Sequence, residues 1–77
     1  MNKEYSIYSV NVDVRNMETG NILRKDTIMY HSLDAAKTAA KRIAQCIDVA
    51  NVEVMDENTG EIMWYQLVNG ETYEAAL

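Results

Sequence analysis

The segment from Ser32 to Ile47 narrows most what this chain can fold into. At about 100° per residue, Leu33, Ala35, Ala36, Ala39, Ala40, Ile43, Ala44, Cys46 and Ile47 fall on one half of a helix. Asp34, Lys37, Thr38, Lys41, Arg42 and Gln45 fall on the other half. Ser32 is placed to cap the start, because a serine oxygen accepts an otherwise unpaired N–H of the first turn. Asp34 adds negative charge at the positive end of the helix dipole. The apolar half is mostly alanine, so the helix can lie close against a flat partner such as a β-sheet. The expected packing residues are Leu33, Ala36, Ala40, Ile43 and Ile47.

Strand patterns flank the helix on both sides. Tyr8, Val10, Val12 and Val14 alternate with Ser9, Asn11, Asp13 and Arg15, the period-two signature of a half-buried strand. Tyr5 and Ile7 sit on the other parity and suggest a bulge or a two-faced start. Asn16 to Asn21 is a loop of turn formers in which Gly20 is free to take positive φ. Ile22 to Tyr30 returns, with Arg24, Lys25 and Asp26 interrupting its pattern, as expected for an edge strand that resists pairing with strangers. After the helix, Val52 and Val54 alternate with Glu53. Asp56 to Glu61 forms a second glycine-bearing loop, and Ile62 to Val68 returns as the most apolar run in the chain. Asn69-Gly70 is a tight-turn signal. The tail from Thr72 to Leu77 could add a short strand or a helical turn.

The two hairpins correspond at an offset of forty residues. Val12, Val14, Thr19, Gly20, Ile22, Ala35 and Ala36 match Val52, Val54, Thr59, Gly60, Ile62, Ala75 and Ala76. The unit suggested is a hairpin followed by a helix, spanning 12–37 and 52–77, with the second helix cut short after one turn.

At 77 residues the chain makes one domain, 1–77, with a thin margin of stability. Cys46 is the single cysteine, so no disulfide is available within the chain; a lone cysteine and the lack of a signal-type apolar run near Met1 lead to an expectation of a cytoplasmic protein. No stretch approaches transmembrane length, so no membrane role is expected. The net charge of −5 is unevenly spread. All seven lysines and arginines lie in residues 1–47 with five acids, whereas residues 48–77 hold seven acids and none of the bases, a split of +2 against −7. An acidic C-terminal third repels nucleic acid and attracts a basic protein surface.

Few residues offer chemistry. His31 stands alone before the helix cap, without a positioned partner for base catalysis. Cys46, on the apolar side of the wheel, reads as a small hydrophobe. The loop at Asp56 looks calcium-like, but Gly60 comes fifth and Leu67 twelfth, where an EF-hand needs a sixth-position glycine and a twelfth-position glutamate. Phosphate-binding glycine loops, nucleophile elbows and paired catalytic carboxylates are missing. No catalytic residue, metal or cofactor is therefore expected, and an enzyme is the least favoured class.

The expected fold is α+β: a four-stranded antiparallel sheet with one helix packed on one face, in the order ββαββ, with a possible short C-terminal strand or helical turn. In outline it resembles compact ββαββ domains in which a helix is followed by a strand–Gly–strand hairpin, as at Val52 to Val68. It also resembles small acidic phage inhibitors of host defence such as anti-CRISPR proteins. That likeness implies a non-enzymatic, nucleic-acid-mimicking binder of a basic protein surface, acting through Asp56, Glu57 and Glu61. The alternative is a structural or regulatory homodimer. Its interface would use the apolar residues Met63, Trp64, Tyr65 and Leu67, with the basic helix face of Lys37, Lys41 and Arg42 meeting the acidic hairpin of the second copy.

Overall fold

The computed structural model describes residues 6–68 and the backbone of residues 73–75. Tyr5, the Asn69-Gly70 turn signal and the ends of the tail lie outside the described residues. The chain runs β1 (Tyr8–Arg15), β2 (Ile22–Tyr30), α1 (Leu33–Ile43), β3 (Val49–Asp56), β4 (Ile62–Leu67) and β5 (Tyr73–Ala75). The strands form one sheet in the order β2-β1-β3-β4-β5, and every neighbouring pair is antiparallel. The ββαββ layout with one helix is as the sequence predicts. The tail takes the strand option, since β5 pairs with β4 in the plane of the sheet.

Residues opposed across a ladder share a face. Val10, Val12 and Val14 of β1 face Val54, Val52 and Val49 of β3, with a register shift between Asp13 and Val14. Trp64 and Gln66 of β4 stand opposite Val54 and Val52. This face forms the core with Ala36, Ala40 and Ala44, and Tyr8, Tyr30, Leu33 and Ile43 pack against its margin. Ala36 and Ala40 are fully buried, as the close approach of an alanine face requires. Each buried valine contributes about 1.5–3 kcal/mol relative to an exposed one. The helix lies chiefly over the central strands β1 and β3.

Helix α1 begins as expected, with Ser32 Oγ accepting from the Ala35 N–H at 3.2 Å. It ends earlier than the wheel implies. Gln45 N–H donates to Arg42 O at 3.2 Å, Cys46 N–H to Ile43 O at 2.9 Å and Val49 N–H to Cys46 O at 3.2 Å. These bonds span three residues instead of four, so they tighten the chain and take it off the α-helical wheel. Two expectations are corrected as a result. Cys46 is exposed, and Ile47 is 76% exposed and does not pack on the sheet. β3 starts at Val49, ahead of the Val52–Val54 alternation, because the register shift by Val14 carries the ladder around a bulge.

Candidate interaction surfaces

Among the described residues three surfaces lie outside the core: the hairpin tips, the open face of the sheet and the edge at β2.

The two tips are built alike. In the first, Asn16 N–H donates to Asn21 O at 2.8 Å and Gly20 N–H to Asn16 O at 2.7 Å. In the second, Asp56 N–H donates to Glu61 O at 2.8 Å and Gly60 N–H to Asp56 O at 2.7 Å. Asn16 Oδ1 accepts from Glu18 N–H at 2.8 Å, and Asp56 Oδ1 accepts from Asn58 N–H at 2.8 Å. Thr19 and Thr59 hydroxyls accept from Asn21 and Glu61 N–H, each at 3.2 Å. Gly20 and Gly60 have φ of 82° and 83°. The Asp56 carboxylate thus holds its turn, a task that the neutral Asn16 performs in the other loop. Glu57 and Glu61 are exposed. Among the described residues no ion pair involves Asp56, Glu57 or Glu61.

The acidic tip sits at the end of the sheet where Tyr8 opposes both Asp56 and Tyr30, beside the start of α1. Lys41 and Arg42 lie in the last turn of α1, at the opposite end, and are exposed; Lys37 lies between and is partly buried. The structure does not bring the acidic and basic sets together within one molecule.

On the face away from α1, Ser9, Asn11 and Asp13 oppose Met29, Thr27 and Lys25 across one ladder and Met55, Glu53 and Asn51 across the other. Lys25 Nζ pairs with Asp13 Oδ1 at 3.1 Å, and Thr27 Oγ1 donates to Asn11 Oδ1 at 2.9 Å. These groups line a shallow depression of about 210 Å³. In it Asn51 Oδ1 is buried and has no hydrogen-bond partner. Tyr65 and Leu67, opposite Glu53 and Asn51, continue this face and are half-buried. The four apolar interface candidates are thereby divided. Trp64 is 3% exposed and belongs to the core under α1, so it leaves the set. Met63 is partly buried at the register shift near Met55.

The surface that sequence reasoning missed is β2. Among the described residues it has a neighbour on one side only, β1. Ile22, Leu23, Ile28 and Met29 are 46%, 58%, 41% and 57% exposed, and they project from both faces of the strand. On the helix side an open groove of about 230 Å³ runs between β2 and the end of α1, lined by Val12, Val14, Arg24, Ile28 and Ile43 among others. The apolar residues at both ends of Ile22–Tyr30 were the available signal, masked by the charged triplet between them.

His31 is exposed in the turn before Ser32. Among the described residues no group of three His, Cys, Asp or Glu side chains is arranged to hold a metal ion, and no helix is long and apolar enough to cross a membrane. Comparison with protein-family models, curated proteins and solved structures finds no match.

Proposed function

We propose that this is a non-catalytic protein-binding module of the cytoplasm that works by strand addition at β2. The observation that carries this reading is the exposed edge: nine residues that, among the described residues, have one free side and large apolar side chains exposed on both faces. An unpaired edge offers a row of backbone donors and acceptors to an incoming strand, and flanking apolar side chains supply affinity. Random extended peptides panned against sparsely immobilised protein test it. Selected peptides should bind the parent and lose most binding to a Leu23→Glu/Ile28→Glu variant. Equal binding to both would contradict strand addition at this edge.

A second reading gives the acidic hairpin the working role, as in a phage-type inhibitor that mimics nucleic-acid phosphates. It is supported by Glu57 and Glu61, exposed on a turn braced by its own hydrogen bonds. Glu57→Lys/Glu61→Lys should elute from an immobilised basic protein at lower salt than Glu18→Lys/Glu53→Lys, which changes net charge equally. Identical elution would count against the hairpin.

A further inference from the structure

We propose that the strand added to β2 is β2 of a second copy, in an antiparallel pairing whose two-fold axis passes beside Lys25; this rests on strand addition at β2. A two-fold axis normal to the sheet joins two copies of one strand only in registers that keep helix-side residues opposite helix-side residues. In the register centred on Lys25, Arg24 of each copy stands opposite Asp26 of the other. The ladder with β1 shifts register beyond Arg24, which puts Ile22 on the face of Arg15, so on the helix side Ile28 of each copy flanks the Arg24–Asp26 contacts beside the groove between β2 and α1.

Charge complementarity selects this register. Moving the centre to Asp26 would oppose Asp26 to its own copy and set Arg24 against Ile28, and like charges directly opposed are destabilising. In the chosen register the one like-charge contact is Lys25 against Lys25. Each of these ammonium groups already carries its own counter-ion, Asp13, at 3.1 Å. Arg24 and Asp26, which lean on each other along one strand at 3.0 Å, can share their charges across the junction without reorganising. The charged triplet is therefore complementary to itself. The interface also lies in the half of the chain that carries +2, away from the −7 of residues 48–77, so a molecule of net charge −5 can approach its copy there. The pairing would join two five-stranded sheets into one with both helices on the same side. It buries little surface, which fits a reversible dimer.

Sedimentation equilibrium from low micromolar to millimolar concentration tests it. The parent should pass from 8.8 kDa to twice that mass. Arg24→Glu and Asp26→Arg should each weaken the dimer about tenfold, since each reverses a contact made twice by symmetry. The double variant Arg24→Glu/Asp26→Arg should recover it. A parent that stays monomeric throughout overturns self-pairing, while peptide capture at β2 would still stand. A dimer indifferent to these reversals but lost in Tyr65→Glu/Leu67→Glu overturns it in favour of the open face.

Discussion

The two hairpins share one backbone plan and meet opposite fates. Arg24 and Asp26 of β2 oppose Val14 and Val12 of β1. Trp64 and Gln66 of β4, forty residues later, oppose Val54 and Val52 of β3. The loops share four hydrogen bonds and differ at the threonine, where Thr19 N–H donates to Asn16 Oδ1 and Thr59 N–H to Asp56 O. Yet Arg24, Asp26 and Ile28 are a charged pair and an exposed isoleucine, while Trp64, Gln66 and Val68 are 3%, 4% and 5% exposed. What differs is the neighbourhood. Among the described residues, β4 has β5 along residues 65–67 of its outer side, and β2 has no outer neighbour. The correspondence stops after the return strands: the first hairpin leads into α1, whereas β5 occupies the place where a second helix was expected. The same ladder geometry thus accepts a core strand or an edge strand, according to what the next segment does.

Substitutions at matched positions should expose this contrast most strongly. Trp64→Ala should cost about 3–5 kcal/mol in urea unfolding, because it empties a buried site, while Arg24→Ala should stay within about 0.5 kcal/mol. Similar costs would remove the distinction between the strands.

Overpacking comes next. Ala40→Leu should destabilise by about 1–3 kcal/mol in thermal melts, since Ala40 is fully buried against the sheet. The exposed Ala35→Leu should be near neutral. Equal effects would mean that the helix does not approach closely.

The loops sharpen the likeness instead of the difference. Gly20→Ala and Gly60→Ala should each cost about 1–2 kcal/mol, because both glycines hold positive φ and a Cβ at either meets no atom within 4 Å. A gap between the two of more than about 1 kcal/mol, the lower end of that strain, would show that the loops are not equivalent.

The smallest effect concerns Asn11 and Asn51, matched across the hairpins. Thr27 donates to Asn11 Oδ1, while Leu67, which stands opposite Asn51, has no hydroxyl, and Asn51 Oδ1 is left without a partner. Leu67→Thr should therefore couple favourably to Asn51 by about 1 kcal/mol in a double-mutant cycle with Asn51→Val. Zero coupling would mean that the hydroxyl does not reach.

Much of this plan was legible in short-range pattern. Period-two alternation marked β1, turn residues marked both loops, and Ser32 marked the helix start. The helix end was not legible, because Ala44, Cys46 and Ile47 continue an apolar wheel that tightened bonds then break. The pairing of β1 with β3 joins residues about forty apart and leaves no local trace. Strand alternation sets Trp64 and Tyr65 on opposite faces, but which of them α1 covers depends on that pairing. For the candidate surfaces, the acidity of the second loop was visible, while the part Asp56 plays in holding its turn needed coordinates. The charges of Arg24, Lys25 and Asp26 marked β2 as an edge and hid the apolar ends that make it adhesive.

Amide hydrogen exchange followed by NMR at two protein concentrations tests the central claim most directly, that β2 is the open edge and β4 the closed one. Alternate amides within Ile22–Tyr30, those directed away from β1, should exchange rapidly in dilute protein and become protected as concentration rises. Those of residues 65–67, which pair with β5, should be protected at both concentrations. Unchanged β2 amides, with concentration-dependent protection confined to β4 and the face bearing Tyr65, would contradict the account.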